Sequence, residues 1–387
     1  MPDYGPHFTK EKTVAVSSID YLDWYIPRLA ENRENNLSFS GMKYQWDIPE
    51  LLGESINDIA KWHMEEITDP REIIADRENV NPENVLICHG ATQGLNIALL
   101  TLISQLKIDN NSSIIVAVES PTYAPISQSA LLLADEVIRI ERIPPTNGYG
   151  FWRIDRNSWK EAMINSQILM ITPVSNPSGW NLHPEDRSWI FEQSEDLNVK
   201  IIADEVYLDA FRNSSDYYPT HNNGEGHISI NSLTKIYSLG EIRFGWIISD
   251  KSTIETARRI FMTFSGVMGA PTMRIGTAAL QSLEKVETAM ELYRHENLPL
   301  LRNVLQKFNI NWNEPEFGVF GTFQLPKNIS GEEFVDGPCK DNELLIIPCS
   351  MFSNKLSNWV RIAWSIEPKM FKKAISALEK SLQSLID

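Results

Sequence analysis

The stretch Asn231-Ser232-Leu233-Thr234-Lys235, followed by Arg243-Phe244-Gly245-Trp246, decides how the rest of the chain is read. It comes after an apolar, β-branched run, His227-Ile228-Ser229-Ile230, so Lys235 falls just past the end of a predicted strand. A lysine amine condenses with a carbonyl as a Schiff base. The Ser232 hydroxyl and the Arg243 guanidinium supply a hydrogen bond and a charged fork to a phosphate. Together they suit a phosphorylated aldehyde. Taken alone, the segment fits equally well a surface lysine in a Ser/Thr turn beside a structural arginine.

Composition narrows the classes. A chain of 387 residues is long enough for two domains sharing a large core, and 42% hydrophobic with 22% charged residues reads as an ordinary soluble globule. A formal charge of −16 argues against a nucleic-acid partner, which needs clustered Lys and Arg. Cys88, Cys339 and Cys349 show no CxxC spacing, so neither a disulfide framework nor a metal site is expected. The start, Met1-Pro2-Asp3-Tyr4-Gly5, lacks a basic and apolar leader, and no apolar run approaches the ~18 residues of a membrane span. A cytoplasmic location without a membrane partner is expected.

Outward from Lys235, apolar runs alternate with helical patterns. Strands are predicted at Val85 to Cys88, Ser113 to Val118, Glu136 to Ile140, Ile168 to Thr172, Val199 to Ala203, His227 to Ile230 and Gly245 to Ile248. The alternation predicts an α/β fold with a mostly parallel seven-stranded sheet covered by helices on both faces. Helical patterns are also read at Ile56 to Ile67 and, as one long stretch, at Pro271 to Phe308. Strands at Gly318 to Leu325, Glu343 to Ile347 and Trp359 to Trp364, with a closing helix, predict a small α+β domain. The expected division is 43–285 for the large domain, with 1–42 and 286–387 forming the small one.

Ligands of such sheets collect at the carboxyl ends of the strands. There the sequence places the turn Gly90-Ala91-Thr92, Pro121-Thr122-Tyr123, Asn176-Pro177-Ser178-Gly179, Asp204-Glu205-Val206-Tyr207 and Lys235. Singly, each has a bland reading: Asp204 as a helix cap, Asn176-Pro177 as a turn, Tyr123 and Tyr207 as packing residues. The Gly90 turn is neither a dinucleotide fingerprint nor a P-loop. Gly41, after Leu37-Ser38-Phe39-Ser40, permits close backbone approach or simply a turn.

In this order, these segments resemble the class I/II aminotransferase family of fold-type I enzymes, which use pyridoxal 5'-phosphate (PLP). The resemblance runs from about Val85 to Trp364 and implies the following roles. Lys235 is the Schiff-base lysine and proton shuttle, Asp204 the partner of the pyridinium nitrogen, and Tyr207 and Asn176 hydrogen-bond the phenolate oxygen. Tyr123 stacks on the ring. Gly90, Ala91, Thr92, Ser232 and Arg243 hold the phosphate, joined by Tyr44 from the partner subunit of a homodimer. Arg361 grips the substrate α-carboxylate, with help from Gly41 and Asn176. The implied reaction moves an amino group from an L-amino acid to a 2-oxo acid.

The chain also departs from the family. Only two residues separate Gly41 from Tyr44, where relatives carry a longer segment. The opening, with Leu22-Asp23-Trp24 and Leu37-Ser38-Phe39-Ser40-Gly41, is similar to capreomycidine-synthase-like enzymes, which use PLP for elimination and cyclisation. A non-catalytic PLP sensor is a further alternative, set against the presence of Lys235, Asp204 and Arg361 together. Ile260 to Ala270 holds no basic residue, which weakens a dicarboxylate preference; Phe261, Phe264, Val267 and Met268 suit an apolar or aromatic side chain, or plain helix packing.

Overall fold

In a computed structural model of the chain, residues 8–12, 19–61, 68–109, 113–146, 151–326 and 328–386 are described. The seven expected strands are Val85–Cys88, Ile115–Ser120, Glu136–Ile143, Ile168–Ile171, Lys200–Asp204, Ile228–Ser232 and Gly245–Ile248. Across the sheet, named by first residue, they run 136, 115, 168, 200, 228, 245, 85. The first five are mutually parallel. Gly245–Ile248 lies antiparallel between Ile228–Ser232 and Val85–Cys88.

Continuous apolar strands need cover on both faces, and they have it. Leu86, Val116, Val118, Met170, Ile202, Ile230 and Ile247 pack under helices Gly90–Asp109, Ala124–Leu133 and Lys251–Ser265. The alternate residues face the other way. Ala117, Ile138, Leu169, Ile201 and Ala203 meet helices Arg156–Ile164 and Pro184–Asp196, and Val85, Ile87, Trp246 and Ile248 meet Pro70–Glu78 and Ala270–Leu280.

Two strands join the edge beyond the expected seven. Arg153–Ile154 pairs with Glu136–Ile143, and so does Phe8–Lys12, antiparallel. Residues 8–12 therefore extend the large sheet, whereas Asp20–Ala30 and Asn35–Asn36 pack in the small unit as expected for 1–42. An edge strand needs only backbone pairing on one side, so Phe-Thr-Lys-Glu-Lys carries no apolar alternation to announce it.

Three further expectations are corrected. The single helix over Pro271 to Phe308 is two, Ala270–Leu280 and Leu283–Lys307, broken at Gln281-Ser282. Apolar periodicity continues across the break and no Gly or Pro marks it. The strand over Glu343 to Ile347 is split: Leu344–Leu345 pairs with Asn35–Asn36, whereas Ile347–Pro348 pairs with Trp359–Ala363. In place of the helix from Ile56, a 3-10 turn spans Gly53–Asp58, and the end of that stretch, 62–67, lies outside the described residues.

The small unit packs Phe320–Gln324, Trp359–Ala363 and Ile347–Pro348 against helices Asp20–Ala30 and Pro368–Gln383 and the later part of Leu283–Lys307. A strap of backbone then crosses to the large sheet. Leu37 N–H donates to Leu345 O at 2.8 Å, Ala363 N–H to Leu37 O at 2.9 Å, and Met42 N–H to Lys235 O at 2.8 Å.

Candidate active site

Because the strands from Lys200, Ile228, Ile168 and Ile115 run parallel, the residues that follow them emerge on one rim. Asp204 ends its strand, Thr172 and Asn176 follow theirs, Tyr123 stands three residues beyond Ser120, and Lys235 three beyond Ser232. Gly245–Ile248 runs the other way, so it is the stretch leading into its start that reaches this rim, with Arg243 two residues ahead of Gly245. Ser232, Gly245 and Cys88 are register partners across three strands, which brings Ser232, Arg243 and the Gly90 turn to one level.

A cavity at this rim is walled by the predicted Ala91, Thr92, Tyr123, Asn176, Asp204, Tyr207, Ser232, Lys235 and Arg243. Thr172, Val206 and Thr234 complete the wall and were not singled out in the sequence; Thr234 beside Lys235 and Val206 between Asp204 and Tyr207 carried a positional hint. Ser40 was likewise missed, although Lys235 Nζ donates to its hydroxyl at 3.0 Å.

The remaining predicted residues stand around the cavity. Gly90 opens the helix with φ +75°; a Cβ there would stand 2.8 Å from Arg243 Nη2, so only glycine fits. Gly41 lies against the lysine backbone, where a Cβ would meet Lys235 O at 2.6 Å. Tyr44 is outside the cavity wall: its ring packs edge-on against Trp46 at 5.3 Å and its N–H donates to Ser238 Oγ. Phe261 is buried and stacks on His89, whereas Phe264 and Val267 are exposed, and none of them lines the cavity.

Arg361 sits on the central strand of the small sheet, 0% exposed. It donates from Nη1 to Asn176 Oδ1 and from Nη2 to Ser38 O, both at 2.6 Å. The rings of Tyr21, Phe320 and Phe352 surround it at 5.2–6.0 Å. Among the described residues it has no carboxylate partner, and its buried Nε has no acceptor. A buried guanidinium without a counter-anion is costly unless an anion arrives.

The electrostatics are those of a site built around a further group. Burial raises the Asp204 carboxyl to about 6, opposed by one hydrogen bond from Val206 N–H, 3.4 Å long, and by the charge of Lys235. Burial lowers the Lys235 amine to about 8; Arg361, Arg243 and Lys43 push the same way and Asp204 opposes them. Burial also pushes the Tyr207 phenol well up. Thr234 Oγ1 is buried without a partner among the described residues. A poorly satisfied acid, an unpartnered hydroxyl and a glycine cradle under a guanidinium fit PLP, which brings a cationic ring nitrogen and a phosphate.

Fold and site together define a PLP-binding enzyme of the fold-type I class. The chain belongs to the family described as aminotransferase class I and II, whose match covers residues 49–378. An aspartate aminotransferase of Pyrococcus horikoshii is 23% identical over 315 residues, covering 79% of this chain and 77% of its own. A PLP-dependent aminotransferase from Streptococcus suis superposes with a TM-score of 0.81 at 19% identity, covering 96% and 99% of the two chains. The PLP-dependent cyclase OrfR superposes with a TM-score of 0.77 at 16% identity, covering 96% and 98%. At these identities the superpositions speak for the fold, which transaminase and cyclase share. Among the described residues no helix is long and apolar enough to cross a membrane.

Proposed function

We propose that the protein exchanges the amino group of an L-amino acid with a 2-oxo acid, and that Lys235 carries both the cofactor and the migrating proton. The observation that carries this reading is the placement of Arg361: a buried, anion-less guanidinium held by Asn176 and Ser38, on the same strap that touches Lys235.

When bound, PLP supplies the carbonyl for the exchange and a ring that takes up the electrons of the Cα–H bond. The chain's own residues do the rest. Arg361 offers a planar fork to the α-carboxylate, which fixes the orientation of Cα as well as affinity. Lys235, lowered to about 8, keeps part of its amine neutral near neutral pH and so able to take the Cα proton. Asp204 presents a buried acceptor for a cationic N–H, and Ser232, Thr92 and Arg243 stand where a phosphate is received. Tyr44 is assigned to the neighbouring site of a homodimer, since it has no place in its own chain's cavity.

The test is to mix the PLP-loaded protein with single L-amino acids and no acceptor. Transamination converts the cofactor once, stoichiometrically, to its amine form and releases one equivalent of 2-oxo acid. Many turnovers with release of a leaving group or a cyclic product would establish the elimination or cyclisation chemistry instead.

A further inference from the structure

The strap between the two units touches both ends of the reaction. Ser38 O accepts from Arg361 at 2.6 Å, and two residues later the Ser40 hydroxyl accepts from Lys235 Nζ at 3.0 Å. The strap is fixed on both sides of Ser40. Leu37 is bonded to Leu345 and Ala363, Gly41 O accepts from Ser365 Oγ at 2.8 Å, and Met42 N–H donates to Lys235 O. Gly41 has no room for a Cβ against that same carbonyl, so the strap cannot slide without moving the lysine backbone. The Ser40 hydroxyl also stands close to the buried Tyr207 phenol.

We propose that Ser40 is a positioning residue for the reaction: its hydroxyl holds the Lys235 amine by one N–H and so directs the amine's lone pair at the substrate Cα proton. The assignment rests on the transaminase reading for the role of Lys235, but its geometry does not.

The argument follows from donor and acceptor counting. A neutral lysine amine has two N–H groups and one lone pair. Nothing in the stem of a lysine fixes the rotation of that group, and a misdirected lone pair is a useless base. One N–H donated to a fixed oxygen removes most of that freedom. When the amine takes the Cα proton it becomes an ammonium, and the electron pair of the broken C–H bond stays with the substrate side. The same N–H···O contact is now charge-assisted and stronger, so Ser40 favours the proton-loaded form at the moment it is needed. Lys235 is otherwise faced by Asp204, Tyr123, Arg361, Arg243 and Lys43, of which only Asp204 favours the ammonium by its charge.

The test uses the full chain in two states. In the cofactor-free protein, the pH dependence of Lys235 acylation, read by peptide mass, gives the midpoint of its amine. Ser40→Ala is expected to lower that midpoint by about one pH unit, the size of one lost charge-assisted contact, and Ser40→Thr to restore it. In the PLP-loaded enzyme, Ser40→Ala is expected to lower kcat roughly ten-fold with KM nearly unchanged, and to enlarge the rate effect of Cα deuteration. Melting temperature reports folding, and Ser40→Cys carries the same readouts if the alanine variant does not fold. A folded variant in which either the midpoint or kcat stays at the wild-type value overturns the proposal. A cofactor trapped by borohydride on another lysine would instead overturn the transaminase reading, leaving the Ser40 titration as its own result.

Discussion

Arg361 and Asn176, 185 residues apart in sequence, meet through a 2.6 Å hydrogen bond inside the protein, and among the described residues the guanidinium Nε has no acceptor. The bond ties the small unit's central strand to the loop after Ile168–Ile171. It leaves the arginine preset in orientation and short of an anion. Arg361→Lys keeps the charge but loses the planar fork, so kcat/KM for L-amino acids should fall by roughly 100-fold. Steady-state kinetics with an amine that lacks the α-carboxylate supplies the control: there the two enzymes should differ little.

Gly90, Arg243 and Gly245 form a second constrained contact. A Cβ on Gly90 would meet the Arg243 guanidinium at 2.8 Å, and one on Gly245 would meet the Gly90 carbonyl carbon at 2.7 Å. Gly90→Ala must therefore displace the arginine and strain a backbone at φ +75°, costing about 1–3 kcal/mol. Equilibrium dialysis of PLP should show weaker binding by about ten-fold or more, while Gly266→Ala, at a similar φ of +70° with nothing within 4 Å, should leave cofactor affinity alone.

How far the sequence reached follows from which forces leave a local trace. Buried strands such as Val85–Cys88 and Gly245–Ile248 are written as apolar runs, and both fall where expected. Cavity residues were legible where a special residue type stood at a strand end, as with Asp204, Asn176 and Lys235. Ser40 and Thr172 were not, because a lone hydroxyl residue has many bland uses, and only the crossing of the strap reveals its neighbour. The antiparallel direction of Gly245–Ile248 was equally hidden, since strand direction lives in connections and not in composition. The polar strand Phe8–Lys12 and the break at Gln281-Ser282 likewise depend on distant partners.

Asp204 gives the protein a pH signature. Its folded carboxyl titrates near 6 against an unfolded value of 3.8, so between those values the folded state binds more protons than the unfolded one. Stability of the cofactor-free protein therefore falls as pH rises from about 4 through 6, and the loss stays in place above. Asp204→Asn removes the titration and should be more stable than wild type at pH 7, by up to about 3 kcal/mol, with the advantage vanishing below pH 4. Urea unfolding across that range checks the sign. Transaminase activity of the same variant should be lost, because its amide cannot keep a ring nitrogen protonated.

The last prediction concerns the wall behind Thr172. Glu119 and Arg142 are each about 1% exposed and pair with Oε1 and Nε 2.6 Å apart. Glu119 Oε2 also accepts from Thr172 N–H at 2.9 Å, while Arg142 donates to the carbonyls of Thr172, Pro173 and Trp180 at 3.2 Å. One ion pair thus holds both ends of the loop that carries Asn176. Burial raises the Glu119 carboxyl, which only the arginine and that N–H oppose. Removing one partner strands the other as an uncompensated buried charge, so Arg142→Met should cost about 3–5 kcal/mol. Adding Glu119→Gln should return part of that loss, since the stranded charge disappears and the amide still accepts from Thr172 N–H. Activity should separate from stability here. At a temperature where the double variant is folded, KM for the amino acid should stay raised, because the three carbonyls that Arg142 held no longer fix Asn176 against Arg361. A double variant with recovered stability and a wild-type KM would show that the loop keeps its shape without the pair.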